Sequence, residues 1–453
     1  MARNTDTIAA LATPSGTAAL AIIRISGPDS RRLAADILGR APQARLATHG
    51  DIADRAGSVV DDVVATFFEG PSSYTGEDSL EITCHGSPFI AQKVLADLCA
   101  RGCRPARPGE FTQRAFLNGR MDLSQAEAVM DLISARSERA LAAARQVFRG
   151  ALGRHMAVLV DGLLGALATV EAYIDFPDED LPPEDRGRLE GRVSEVLKGT
   201  ELLLATERTG VLLREGIRTV ILGEPNAGKS SLLNRIVGAE RAIVSPEAGT
   251  TRDFIEERVN VGPHGLRLVD TAGLNPGATG IEMLGVEKAL ESAAGADLFL
   301  LVLDATRPTP PLPPALRVRI KPSNTIIALN KADLLRDRDH PAAVTPPGFP
   351  AVAICALNGD GLERLLAEVA RLAEAIQTTV GEEQIAINVR HAHYLAEARG
   401  CLRAALAKLA GGGPAELLAS DLRGALSAFG EISGKVDNER MLDQLFASFC
   451  IGK

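Results

Sequence analysis

The segment Gly-Glu-Pro-Asn-Ala-Gly-Lys-Ser at 223–230 constrains this chain more than any other. It fits the pattern GxxxxGK[ST] and follows an apolar run, 218–222, that reads as a strand. A strand, a glycine-rich turn and a helix in that order let converging backbone N–H groups surround phosphate oxygens. Lys229 then neutralises the β- and γ-phosphates, and Ser230 offers a hydroxyl to Mg²⁺. Asn226, Ala227, Gly228 and Ser231 complete the expected loop.

Four further segments follow in a fixed order. GTTRD (249–253) supplies Gly249, Thr250 and Thr251, with Thr251 placed to reach Mg²⁺ and the γ-phosphate. DTAG (270–273) follows a predicted strand. Asp270 is expected to hold the metal through water, Thr271 and Ala272 to line the phosphates, and the Gly273 N–H to sense the γ-phosphate. NKAD (330–333) follows another strand. The Asp333 carboxylate can accept from guanine N1–H and its exocyclic amine, a donor pair that adenine lacks. Asn330 is expected on the other base edge and the Lys331 stem over its face. CAL (355–357) then brings Cys355 and the Ala356 N–H toward guanine O6, with Cys a poorer donor than Ser. The set predicts GTP and GDP binding. Leu274 stands where signalling GTPases carry a water-orienting Gln, so either a partner supplies the chemistry or another residue does. Glu282 is a candidate, although by residue type alone it reads as a solvated side chain.

Around this core, five short apolar runs between helical patterns in 216–376 predict a parallel sheet with crossover helices. Residues 1–118 alternate β-rich runs (18–25, 63–68, 80–83) with a helix at 89–99. From 119 the pattern turns helical. Ser124 and Glu127 have capping-box spacing, and one long helix is expected to about Tyr173. An acidic Pro-rich break (176–185), a helical stretch (186–214), and helices after 388, broken by GGGP (411–414), complete it. A last helix, 437–449, carries Leu442, Leu445 and Phe449 on one face. The expected architecture is multidomain: an N-terminal α+β domain (1–118), an all-α helical domain in two parts (119–215 and 377–453), and an inserted α/β P-loop GTPase domain (216–376).

A net charge of −9 argues against bulk attraction to nucleic acid, so any RNA contact needs a local patch or a partner. Six scattered Cys with no CxxC or zinc spacing imply reduced thiols in a cytoplasmic protein. No apolar run approaches roughly 18 residues, so no membrane span is expected. His391 and His393 fall two apart on a predicted helix and read as a solvated face rather than a metal site.

The motifs DTIAALATPSG (6–16), RISGP (24–28), YTGED (74–78), CHG (84–86), RPGEFTQRAFLNGR (107–120), DLSQAEAV (122–129), YIDFPDED (173–180), GEPNAGKSSLLN (223–234) and the terminal FCIGK (449–453) occur together. With them the chain resembles the MnmE (TrmE) family of tRNA-modifying GTPases over almost its whole length. The resemblance implies an N-terminal folate-binding and dimerising domain and a homodimer. It implies work with the flavoprotein MnmG, in a heterotetramer. Together they add an aminomethyl or carboxymethylaminomethyl group to C5 of the wobble uridine of certain tRNAs. The one-carbon unit comes from 5-formyl- or 5,10-methylene-tetrahydrofolate.

The resemblance also implies K⁺ beside the phosphates, held by Asn226, Ser245, Glu247 and Thr250, with Pro246 and Ala248 in the same nucleotide-binding segment. Glu282 becomes the water-positioning glutamate. Arg24, Glu81, Arg120 and Lys453 match the folate positions, and Cys450 matches a cysteine important for modification. Without the resemblance, Arg24 and Glu81 read as a surface ion pair, and Cys450 as a small buried hydrophobe on the last helix. The chain departs from the family pattern at Arg120, where Lys is usual, and in the switch segment 274–282. A regulatory ribosome-assembly GTPase would share every nucleotide motif. It predicts a basic RNA-binding appendage instead of RPGEFTQRAFLNGR and FCIGK. A folate-dependent enzyme in which GTP is incidental is a third reading.

Overall fold

The computed structural model describes residues 6–175, 183–240, 256–270, 293–335, 343–377, 385–434, 442, 445–447 and 449–452. The chain forms two compact units, one from 1–130 with 430–453 and the other from 131–429.

The first unit runs β1 (Ile8–Leu11), β2 (Leu20–Ser26), α1 (Ser30–Leu38), β3 (Ala47–Ala53), β4 (Val59–Phe68), β5 (Ser79–His85), α2 (Pro88–Ala100), β6 (Arg104–Pro105), α3 (Glu110–Leu117) and most of α4 (Leu123–Ser134). Its sheet has the order β3-β4-β5-β2-β1-β6, antiparallel except for the β1–β6 pair. Alternation along β4 and β5 sends Val63, Ala65, Phe67, Leu80, Ile82 and Cys84 into the core with Ile23 and Ile25. Their neighbours Asp62, Val64, Glu81 and His85 take the other face.

The second unit continues with α5 (Glu138–Phe148), α6 (Ala151–Asp175), α7 (Pro183–Leu204), α8 (Glu207–Glu215), β7 (Ile217–Gly223), α9 (Lys229–Glu240), β8 (Glu256–Val261), β9 (His264–Asp270), β10 (Leu298–Asp304), α10 (Pro314–Arg317), β11 (Thr325–Asn330), β12 (Ala351–Ala353), α11 (Leu362–Gln377), α12 (Val389–Gly411) and α13 (Ala415–Ser433). The sheet order is β12-β11-β10-β7-β9-β8, parallel except for the β8–β9 hairpin. The five predicted strands of this segment are present. The sixth, β8, reads EERVNV and escaped notice because its exposed edge carries charge instead of an apolar run. Helix α7, before the nucleotide segment, packs on α12 after it.

Three sequence expectations change. The single helix to Tyr173 is three. Ser137 caps α5, its Oγ accepting from Ala140 N at 3.2 Å, and Gly150 takes a left-handed φ of 79° before α6. The capping box is Asp122–Gln125 rather than Ser124–Glu127: Gln125 N donates to Asp122 Oδ1 at 2.8 Å and Asp122 N to Gln125 Oε1 at 3.0 Å. His391 is buried rather than solvated, because it sits in the first turn of α12 and accepts from the Asn388 N–H, while His393 is exposed beside Glu397.

Helix α6 is also long and apolar enough to cross a membrane by composition, with mean hydropathy 1.6 over an 18-residue window, which the sequence reading did not anticipate. It packs against α5 and α7 through Leu152, Met156, Leu159, Leu163 and Val170. Only the lower half of the expected last helix is described. There Leu442, Phe446 and Phe449 are buried against Leu123 and Ala126, with Leu445 packed alongside.

Candidate active site

Strand β7 is buried at every position but Arg218 and ends in the phosphate loop, so the sheet fixes where the loop begins. Gly228 has φ 97°, and a Cβ there would lie 2.1 Å from Asn330 Nδ2. Only glycine lets the two loops approach this closely. Asn226 and Lys331 also hold left-handed backbones, with φ of 63° and 64°. Strain of this kind collects at ligand sites, and both residues line the same cleft of about 420 Å³ with Lys229, Ser230, Ser231 and Asp333.

Lys229 is 7% exposed, and its Nζ donates to the Glu224 carbonyl at 3.0 Å. Burial pulls its pKa down, and the Asp270 carboxylate opposes this. A buried ammonium with a carbonyl partner is short of negative charge, which phosphate oxygens supply. Ser230 Oγ donates to Asp270 Oδ2 at 2.8 Å, joining loop and β9 across 40 residues. Asp270 Oδ1 is buried without a hydrogen-bond partner among the described residues. An orphaned carboxylate oxygen beside a hydroxyl is the donor set that a hard divalent cation such as Mg²⁺ takes.

Asn330 is 3% exposed and spans two loops: Nδ2 donates to Ala227 O at 2.8 Å, and Oδ1 accepts from Ala356 N at 2.9 Å. Its amide therefore ties the phosphate loop to the Cys355–Ala356 loop, and the Ala356 N–H already has a protein partner. Asp333 stands in a 3₁₀ turn, Ala332–Leu335, facing the cleft with Leu334. Cys355 is buried, and Leu357 beside it is 78% exposed.

Two contributors were not anticipated. Asp304, at the carboxyl end of β10, holds Lys331 Nζ at 2.7 Å and Thr306 Oγ1 at 2.7 Å. Burial raises its pKa, but these bonds outweigh that and keep it below the usual aspartate value. Its signal was a lone acid ending an apolar run, where parallel sheets place ligand-binding groups. Arg235 of α9 reaches the Ala356 and Leu357 carbonyls and steadies that loop. The expected Ser245, Pro246, Glu247, Ala248, Gly249, Thr250, Thr251, Thr271, Ala272, Gly273 and Glu282 lie outside the described residues.

In the first unit, Arg24 and Glu81 are cross-strand neighbours paired at 2.8 Å. The Arg24 guanidinium also donates to Gly452 O at 3.4 Å and lies 5.2 Å from the Tyr74 ring centroid. The chain end is seated here: Gly452 has φ 94°, and a Cβ on it would meet Leu11 O at 2.2 Å. Arg120 is exposed, its stem lying over Gly76, and Lys453 lies outside the described residues. Cys450 is exposed beyond the last helix rather than buried on it, and its carbonyl accepts from the Gly109 N–H at 3.3 Å.

The family model of the MnmE helical domain matches residues 123–450, and the model described as GTP-binding protein TrmE N-terminus matches 7–120. A protein of Opitutus terrae named tRNA modification GTPase MnmE is 58% identical over 448 residues, covering 99% of each chain. Proteins of the same name from Chloroflexus aurantiacus and Akkermansia muciniphila are each 42% identical over 99% of this chain, covering 100% and 99% of those relatives. A solved structure of Era in complex with MgGDPNP and nucleotides 1506–1542 of 16S ribosomal RNA is similar over 34% of this chain and 56% of that one, at 27% identity and a TM-score of 0.25. With full-length identity of this order and both family models matched in sequence, the chain belongs to the MnmE (TrmE) family and is a GTPase of that family.

Proposed function

We propose that this GTPase, as a homodimer with the flavoprotein MnmG in a heterotetramer, drives addition of an aminomethyl or carboxymethylaminomethyl group to C5 of the wobble uridine of certain tRNAs. The observation that carries the nucleotide half is the single cleft in which Lys229, Ser230 and Asp333 meet. Lys229 neutralises the β- and γ-phosphates as charge shifts toward the leaving oxygen. Asp333 selects guanine by accepting from its N1–H and amine. Asn330 and Asp304 hold the base loops in place from below. Ser230 and Thr251, with Asp270 through water, would hold Mg²⁺, which when bound offsets phosphate charge. Asn226, with Ser245, Glu247 and Thr250, would hold K⁺. Glu282 positions the attacking water.

For the one-carbon half, Arg24, Glu81, Arg120 and Lys453 would hold a 5-formyl- or 5,10-methylene-tetrahydrofolate. Arg24, Glu81 and the Gly452 carbonyl already meet at one place, which supports that reading. Cys450, exposed next to this place, is accessible to a substrate. The protein acts in the cytoplasm, where charged tRNAs are made.

Mass spectrometry of wobble uridines from a deletion strain tests this. Wild type restores the modification; Asp270→Asn, which disables the metal side of the cleft, and Cys450→Ser do not. Failure of wild type to restore it would overturn the reading. Restoration by Asp270→Asn with hydrolysis abolished would make GTP incidental. GTP hydrolysis is expected to be faster in potassium than in sodium, and equal rates would remove the K⁺ assignment.

A further inference from the structure

His85, in the CHG motif, has no part in the nucleotide cleft. It ends β5, and β4 brings Asp61 and Asp62 beside it. We propose that Asp61, Asp62 and His85 form a binding site for a divalent transition-metal ion of the zinc class, with His49 adjoining through Asp62 and solvent completing the shell.

The geometry points to an ion rather than to scattered surface charge. One ligand atom from each of the three residues lies within 4.8 Å of the others. His85 Nδ1 is 2.8 Å from Asp61 Oδ1 and 3.7 Å from Asp62 Oδ1, and His49 Nε2 is 3.3 Å from Asp62 Oδ2. Tetrahedral zinc with nitrogen and oxygen ligands at its usual bond lengths separates those ligands by about 3.3 Å. The observed spacings bracket that value.

The Asp61 side chain is only 8% exposed, and its Oδ2 accepts from the His85 backbone N–H at 2.8 Å. The fold therefore orients this carboxylate with a backbone bond and leaves Oδ1 aimed at the imidazole. Two successive carboxylates meeting there favour a cation over mutual repulsion.

Imidazole with carboxylates suits Zn²⁺, Co²⁺ or Ni²⁺ and distinguishes the site from the all-oxygen sets that Mg²⁺ and Ca²⁺ prefer. Cys84 adds no thiolate: it is 1% exposed on the core side, with its Sγ directed to Ala21 O. An ion here links β4 to β5 directly, and β3 through His49, so it ties down the edge of the sheet.

Metal-free full chain in a Cys450→Ser background, titrated with Zn²⁺ in excess Mg²⁺ by calorimetry and with Co²⁺ by visible absorption, tests the assignment. One equivalent is expected, with a nitrogen–oxygen cobalt spectrum free of thiolate charge transfer. His85→Ala and Asp62→Asn are exposed changes expected to keep the fold and GTP hydrolysis. Each is expected to weaken the ion by about tenfold or more, and His49→Ala by less. No binding in wild type, equal binding in both variants, or a thiolate spectrum would each overturn the proposal. Circular dichroism melts confirm that the variants fold.

Discussion

Lys331 shows how a side chain that lines the nucleotide cleft rests on a residue behind it. Its backbone is left-handed and its ammonium is held by Asp304 at 2.7 Å. Asp304→Ala frees that side chain and leaves Thr306 without its acceptor. Lys331 is 33% exposed, so water recovers part of the loss. GTP and GDP affinity are expected to fall together by about tenfold, or ~1.4 kcal/mol, the worth of one such bond. Preference for guanine over adenine stays intact because Asp333 is untouched. Fluorescent-nucleotide titration reads both quantities, and a collapse of base selectivity in this variant would show that Asp304 reads the base. At this scale, the phosphate loop was legible because glycine, lysine and a Ser or Thr hydroxyl are all needed at that spacing. Asp304 was not, since a single acid after an apolar run is common. The split loyalty of Asn330, which ties together loops 103 and 26 residues away from it, is invisible until the backbone is placed.

Elements tell a different story, with periodicity carrying most of the information and caps deciding the rest. The strands of the nucleotide segment were legible as apolar runs, while Ser137 and Gly150 divided a helix that periodicity alone makes continuous. The RPGEFTQR stretch served only as a family marker in the sequence, and its chemistry is structural. Glu110, in the first turn of α3, is 2% exposed and accepts from Arg104 at 2.6 Å, Arg107 N at 2.8 Å and Arg114 at 3.1 Å. Arg114, 1% exposed, also reaches Asp6 at 2.8 Å and Glu77 at 3.1 Å. Burial raises the Glu110 pKa, but its bonds from Arg104, Arg107 and Arg114 leave it below the usual glutamate value. Its stabilising effect is therefore complete above that usual value and disappears as acid protonates it in the fold. Glu110→Gln breaks a buried pair and is expected to cost about 3 kcal/mol at neutral pH. The gap between wild type and variant in urea melts should shrink on moving from pH 7 to below the ordinary glutamate range, about 4.3. A gap that stays constant across that range would show that shape, not charge, holds α3 in place.

At the scale of the whole chain, one compact unit is built from both of its ends. Leu442, Phe446 and Phe449 bury themselves against Leu123 and Ala126, and the carbonyls of Cys450 and Gly452 bond to Gly109 and Arg24. The sequence offered FCIGK as a motif and an apolar stripe as a helix. It held no sign of their partner, since contacts more than 300 residues apart leave no local periodicity. The nucleotide cleft, by contrast, lies wholly within the other unit. Deletion of 442–453 therefore separates the two. Loss of each buried Phe alone is worth about 3–5 kcal/mol in a core, enough to unfold a unit of ordinary marginal stability. The truncated chain is expected to lose protease resistance in 6–130 while still binding GTP with wild-type affinity. Limited proteolysis followed by mass mapping, with nucleotide titration on the same sample, measures both. Resistant N-terminal fragments would mean that the first 130 residues hold their fold unaided, and loss of GTP binding would mean that the cleft depends on the chain end as well.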